Sequence, residues 1–363
     1  MDCINATLDN GHQMGSLITC SKKQHAMNKH PTHIPEVMKA VRQHEAGGAL
    51  VIETVPVPKP GKGEVLVKMH SSPVNPSDLA LLKGGYLERN YPFVAGLEGS
   101  GRVVASGGGA IANMRKGKWV ACTPDPAGDG TWAEFMKTTA LHTVTLPKGI
   151  TPAQGSMMLV NPLTAVALLE IAKKGHHSAL VNNAAASALG KMLIRLSGKS
   201  GIPLINIVRS NDHMEELKSL GARYVLNSTE PSYEKELTQM ASRLKATLLL
   251  DAVGGEASSI LMRAAPHGST LLMYARLSGQ PVVADPGWMI QEGKKIEGFQ
   301  LGQWLDELGI MAKLRLISRV KKGMSGPLNS PVRTTMPMEE IHKALSLYQK
   351  QMSAGKIIIN FNT

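Results

Sequence analysis

From residue 38 onward the chain divides by the period of its apolar positions. Up to about residue 147, the runs Lys39–Val41, Leu50–Thr54, Glu64–His70 and Gly101–Ala105 alternate or are β-branched, and clusters of Pro and Gly separate them. A period of two places alternate side chains on one face of a pleated strand, so this stretch predicts a small β-rich domain. Between 178 and 300 the pattern changes. Apolar runs at Ala179–Asn183, Leu204–Arg209, Tyr224–Leu226, Thr247–Val253, Thr270–Ala275 and Ile296–Phe299 alternate with helical stretches such as Leu189–Ser197 and Met214–Leu220. Parallel strands need long crossovers, and helices supply them, so the pattern predicts right-handed βαβ units. Beyond Gln300 come a basic amphipathic segment, a helix at Met338–Gln351 and a last strand, Lys356–Phe361, which we read as rejoining the first domain. The fold class is therefore α/β: a doubly wound parallel sheet inserted into a β-rich domain. Its expected boundaries are 38–158 for the first β-rich part, 159–302 for the parallel-sheet domain and 303–363 for the second β-rich part.

Residues 1–37 show no such periodicity and neither a signal-peptide apolar core nor an arginine-rich transit pattern, so they are set aside as a disordered leader. Cys20, His25, His30 and His33 could in principle hold a metal, but no flanking strand or helix signal would fix them as tetrahedral ligands. A length of 363 residues suits two domains, and no run approaches the roughly 18 apolar residues that span a bilayer. The three cysteines form no C-x-x-C pair, which fits a reducing compartment: a cytoplasmic address, or the mitochondrial matrix if the source is eukaryotic. The net charge of +12 suits an anionic partner, whether cofactor phosphates, coenzyme A, an acidic carrier protein or a nucleic acid. Aromatics at 4% and the absence of a stacking motif make nucleic acid the weakest of these.

The first turn of the parallel domain runs from Val181 to Gly190, where a strand meets a helix start. A dinucleotide pyrophosphate would sit on that helix N-terminus, with Asn183, Ser187, Ala188, Leu189 and Gly190 as its contacts. Only Gly190 remains of the usual glycine trio, so the loop taken alone is equally a plain βα turn. At the end of the second strand, Arg209-Ser210 stands where an NAD site would carry an acidic residue for the ribose hydroxyls. A cation there favours the 2′-phosphate of NADP(H).

Six ordered segments together resemble the medium-chain dehydrogenase/reductase superfamily, in its zinc-independent branch of quinone oxidoreductases and trans-2-enoyl-thioester reductases. They are Val74-Asn75-Pro76-Ser77-Asp78, Gly130-Thr131-Trp132-Ala133-Glu134, Val160-Asn161-Pro162-Leu163-Thr164-Ala165, Ile205-Asn206-Ile207-Val208-Arg209, Asp251-Ala252-Val253-Gly254-Gly255 and Gly298-Phe299-Gln300-Leu301-Gly302-Gln303-Trp304. The resemblance covers Met38 to the C-terminus and implies a Rossmann domain set into a GroES-like catalytic domain. It implies NADPH as cofactor, Asn75 and Thr164 as catalytic, and Asn161, Val253, Tyr274, Phe299 and Leu301 as cofactor contacts. A homodimer is typical of the superfamily. In this branch the nucleotide loop usually ends Gly-x-Gly; here Ala188-Leu189-Gly190 adds a methyl. Zinc relatives carry a histidine where this chain has Leu97, before Glu98, and a four-cysteine lobe that this chain lacks, so no metal is expected.

Without a metal to polarise a carbonyl, hydride transfer suits an acceptor already activated by conjugation: an enoyl thioester, an enone or a quinone. Reducing such a C=C also needs a proton at the α carbon, and a tyrosine hydroxyl, neutral at pH 7, can give it. Tyr86, after Lys83-Gly84-Gly85, lies in a stretch that resembles the loop carrying the catalytic tyrosine of the enoyl-thioester reductases, although Tyr91 lies nearby and quinone reductases often have a tyrosine here too, so Tyr86 is either the acid or a wall residue. The cations Lys313, Arg315, Arg319, Lys321 and Lys322 are either a solvated helix face or a dock for coenzyme A phosphates or an acidic acyl carrier. Reduction of activated C=C bonds leads these readings. Quinone reduction is one alternative, and a silent family member that binds partners through its basic surface is another.

Overall fold

The computed structural model describes residues 33–84 and 88–361. The leader positions Cys20, His25 and His30, and the candidate acid Tyr86, lie outside the described residues. Among the described residues no helix is long and apolar enough to cross a membrane.

Two sheets form the β-rich half. Val37–Gln43 pairs antiparallel with Leu50–Pro56 and with Phe93–Val94. The long strand Glu64–Pro73 organises the larger, seven-stranded sheet. One of its edges pairs with Gly99–Ser106. The other is shared, Phe135–Thr139 covering Glu64–Lys68 and the C-terminal strand Lys356–Asn360 covering Ser71–Pro73. That sharing sets the end of the chain beside the segment that begins at Asn75. The end of the chain forms a parallel strand–helix–strand unit, Val332–Pro337 and Lys356–Asn360 joined through helix Ile341–Lys350.

The parallel sheet holds six strands, Ala179–Asn182, Leu204–Val208, Tyr224–Asn227, Ala246–Asp251, Thr270–Met273 and Lys295–Gly298. Numbered along the chain, their order is 3-2-1-4-5-6, and every pairing is parallel. The first strand is buried along its whole length, as a sheet covered on both faces requires. Helices Val160–Lys174, Ala188–Ser200 and Ile310–Gly323 join one apolar cluster on the sheet, and Tyr233–Leu244 and Glu256–Ala264 join another. Each fully buried Leu or Met in these clusters contributes about 1.5–3 kcal/mol over its exposed state.

The strands stand where the apolar runs put them, with shifts at their ends. The fourth stops at Asp251, short of Val253, because the Asp251 carboxylate accepts the N–H groups of Val253 and Gly254 and curls the chain into a turn. The return to the β-rich half comes at Val332, later than the position 303 read from the sequence. Leu316, Val320, Met324 and Leu328 pack with helix Val160–Lys174 instead, so the basic helix belongs to the parallel-sheet core.

Candidate functional site

The strand order reverses between Ala179–Asn182 and Ala246–Asp251, and beyond the C-terminal ends of such strands a crevice opens. Here it is a cleft of about 1100 Å³, part of it open to solvent, with walls from both halves. On the parallel-sheet side, Ser187 caps helix Ala188–Ser200, its Oγ accepting the Gly190 N–H at 3.1 Å. Ala184, just before, adopts a left-handed φ of 50°, a conformation that costs a residue with a Cβ on the order of 1 kcal/mol. Gly190 is required by close approach: a Cβ there would stand 2.3 Å from the Ala185 carbonyl oxygen. The turn is thus folded back onto its own helix, and Ser187, Ala188 and Leu189 line the cleft at that N-terminus. Unpaired N–H groups and the helix dipole make it a fitting cradle for a pyrophosphate.

Asn183 and Gly190 shape this cradle without lining it. Asn183 is buried, donating to the Asp251 carboxylate at 2.6 Å and accepting the Ala252 N–H at 2.7 Å, which ties the loop to the fourth strand. Val253 likewise lies outside the lining, held by its N–H bond to Asp251. Arg209 follows the second strand directly, its side chain exposed and without an ion pair or hydrogen bond among the described residues. Ser210 accepts the His213 N–H at 3.4 Å and caps the next helix.

At the other end, Asn161 and Thr164 line the cleft from helix Val160–Lys174, and neither side chain has a hydrogen-bond partner among the described residues. Tyr274, Phe299 and Leu301 supply an apolar wall. The Tyr274 hydroxyl donates to Asn182 Oδ1 at 3.2 Å, and burial pushes its pKa up. Pro76, Ser77, Tyr348 and Lys356 close the cleft from the β-rich half.

Asn75 sits beneath this floor rather than in it. It is only 1% exposed, and its Nδ2 donates to Glu98 Oε1 at 2.9 Å while Lys356 Nζ donates to its Oδ1. The other Glu98 oxygen accepts the N–H groups of Leu159 and Val160, at 3.1 and 2.9 Å, at the start of helix Val160–Lys174. Asp78 accepts the N–H groups of Asn75 and Leu97 at 2.7 and 3.0 Å. Burial pushes the Asp78 carboxyl up to about 7, with the Glu98 charge adding to the rise. Glu98 is also raised by burial, and Lys356 is lowered by it. Leu97 packs against the β-rich core.

Sequence reasoning passed over Glu98, Asp78, Lys356 and one further cluster. Lys191, in the first turn after the cradle, is nearly buried and pairs with Glu216 at 2.5 Å, while its Nζ also donates to the Ser353 carbonyl at 3.3 Å. His213 Nε2 stands 3.3 Å from Ser353 Oγ. Lysines inside apolar helix and strand patterns were the available signal at 191 and 356.

A six-stranded nucleotide-type sheet joined across a cleft to a β-rich half defines a two-domain dehydrogenase/reductase. The comparisons agree. The family described as alcohol dehydrogenase GroES-like domain matches residues 61–148, and that described as zinc-binding dehydrogenase matches 188–315. The mitochondrial enoyl-acyl-carrier-protein reductase of Xenopus tropicalis is 30% identical over 322 residues, 85% of this chain and 91% of the relative. Its Homo sapiens counterpart is 29% identical over 303 residues, 82% and 80% of the two chains. Among solved structures, a Mesorhizobium loti protein assigned as an NADPH:quinone reductase superposes with a TM-score of 0.83 at 31% identity, covering 91% of this chain and all of that one. The chain belongs to the medium-chain dehydrogenase/reductase superfamily, in the branch of enoyl-thioester and quinone reductases.

Proposed function

We propose that this protein is an NADPH-dependent reductase of activated C=C bonds, with 2-enoyl thioesters as leading substrates and α,β-unsaturated carbonyls beside them. The observation that carries this reading is the cleft. It runs from an N–H-lined helix terminus to a wall of Tyr274, Phe299 and Leu301 faced by the free polar groups of Asn161 and Thr164. The relatives named for enoyl reduction support the substrate class.

The donor set fits the dinucleotide: a close-packed turn at Gly190, a capped helix N-terminus and, at the end of the second strand, an unpaired Arg209. The cofactor supplies the hydride. Ser187, Ala188 and Leu189 hold the pyrophosphate, and Arg209 and Ser210 take the 2′-phosphate. Asn161 and Thr164 orient the reacting ends, while Tyr274, Phe299 and Leu301 exclude water. Asn75 acts from below, positioning Glu98 and the start of helix Val160–Lys174. Tyr86 gives its hydroxyl proton to the α carbon as the enolate collapses. In this reading no metal takes part, Leu97 standing where zinc relatives have a histidine.

The basic helix supports an acidic acyl carrier as the bearer of the thioester. Arg319 pairs with Glu170 and Lys313 with Asp306, leaving Arg315 and Lys322 exposed on a helix whose first turns also expose Ile310, Met311 and Leu314. A homodimer would form through the exposed edge strand Lys295–Gly298. Quinone reduction is the second reading, favoured by the Mesorhizobium loti neighbour. Following NADPH oxidation against an enoyl-coenzyme A, an enone and a quinone separates the two. Turnover of none would favour a silent, partner-binding family member.

A further inference from the structure

Asp78, Glu98 and Lys356 come from three distant stretches of chain and meet beneath the floor of the cleft, each no more than 2% exposed. Asn75 links Lys356 to Glu98, and backbone N–H groups hold both carboxylates. The charges do not balance: two carboxylates face one ammonium. Among the described residues the other titratable groups that feel the cluster are Tyr348, which interacts with Asp78, and Cys122, which interacts with Glu98. Burial pushes both upward, so both stay neutral. Fully ionised, the cluster carries one net negative charge, and one added proton cancels it. It also abuts the cleft directly. Pro76 and Ser77, between Asn75 and Asp78, line the cleft, and so do Lys356 and Tyr348.

We propose that Asp78, Glu98 and Lys356 form a buried proton-binding cluster whose net charge favours the oxidised over the reduced dinucleotide in the cleft, making these three positioning residues for hydride donation. The proposal rests on the cofactor reading above. The nicotinamide ring is neutral when reduced and gains one positive charge when it gives up hydride, two electrons and a proton leaving together for the acceptor. Each proton the cluster loses makes the potential in the cleft more negative, which attracts the oxidised ring and leaves the reduced one indifferent. The same attraction lowers the barrier to hydride donation, because the ring's positive charge is already developing in the transition state. The two carboxyls share the exchangeable proton, and burial brings its loss near neutrality, Asp78 being raised to about 7. The preference for the oxidised form should therefore strengthen as pH rises through that value, on the order of tenfold in the ratio of dissociation constants.

The test is calorimetric and needs no turnover. NADP⁺ and NADPH are titrated into the full-length protein between pH 6 and 8.5, in buffers of different ionisation enthalpy, so that protons released on binding are counted. Protons lost by the 2′-phosphate are common to both ligands and cancel in the difference. The cluster should release a larger fraction of a proton near pH 7 with NADP⁺ than with NADPH, and Asp78→Asn should abolish that excess. Should Asp78→Asn fail to fold, the wild-type difference decides alone. Equal proton release for the two ligands across the range overturns the proposal and leaves the cofactor reading intact, as does an excess that survives in a folded Asp78→Asn. If neither dinucleotide binds, the cofactor reading fails and the proposal with it.

Discussion

Replacing Gly190 by Ala adds one methyl at the tightest point of the nucleotide turn. The new Cβ would stand 2.3 Å from the Ala185 carbonyl oxygen and 2.7 Å from its carbonyl carbon and Cα, well inside contact distance. Neither side yields easily. The Ala185 N–H is bonded to the Ile207 carbonyl at 3.1 Å, Asn183 is bonded to Asp251 and Ala252, and Leu189 and Lys191 flank the site within the helix. Relief requires the helix start and the loop to part by most of an ångström, which also stretches the Ser187 cap on the Gly190 N–H. Overpacking of this kind costs about 1–3 kcal/mol and a lost cap about 1 kcal/mol more. A total of about 2–4 kcal/mol lowers the midpoint of thermal unfolding by roughly 5–10 °C in a domain of this size. Thermal unfolding followed by circular dichroism gives the stability, and quenching of tryptophan fluorescence by NADPH gives the affinity, which should fall more than tenfold. Ala188→Gly removes a methyl that lines the cleft and should tighten NADPH binding instead. A Gly190→Ala protein with unchanged melting and unchanged affinity would refute the account of the turn.

Arg209→Ala should weaken NADPH binding while leaving NADH unaffected, by the roughly 1.5–3 kcal/mol of a charge-assisted hydrogen bond; equal affinities in the wild type would count against the 2′-phosphate contact. Asn183→Ala leaves the buried Asp251 short of a donor and should cost about 2–3 kcal/mol in urea unfolding, with no midpoint shift as the contrary result. Tyr86→Phe should cut enoyl-thioester turnover about 10²–10⁴-fold, with melting unchanged and quinone turnover little affected; full enoyl turnover would leave Tyr86 no part in the chemistry. Removing residues 1–32 should not move the melting temperature, whereas removal through Met38 should lower it, because Glu36 accepts the Val57 N–H at 2.9 Å and Met38 is buried in the first strand.

The parallel sheet was legible because its central strands are covered on both faces, so their apolar runs are continuous and their ends are marked by turn residues. The turn into helix Ala188–Ser200 was legible too, through Ser187 and Gly190, since a helix N-terminus after a strand leaves a local signature. The direction in which a side chain points was not legible. Asn75 before a proline can face a cleft or cap a helix from beneath, and only the burial of Glu98 and Lys356 beside it decides that it lies under the floor. Asn183 in a nucleotide loop can face the ligand or the fourth strand, and here it is bound to the strand. The Asp78, Glu98 and Lys356 cluster was invisible because Lys356 is brought to the two carboxylates by pairing Ile358 with Pro73, a contact no local pattern encodes. The late return at Val332 was missed because a basic helix reads as surface, although Leu316 and Val320 on its other face are buried.

The central claim is tested most directly by one kinetic comparison: NADPH oxidation by the purified full-length protein with crotonyl-coenzyme A, with a long-chain enoyl thioester and with a quinone. The account predicts saturable turnover of an enoyl thioester with kcat/KM well above that of the quinone, and strong discrimination against NADH. Quinone turnover without enoyl turnover, or no oxidation with any acceptor, would contradict it.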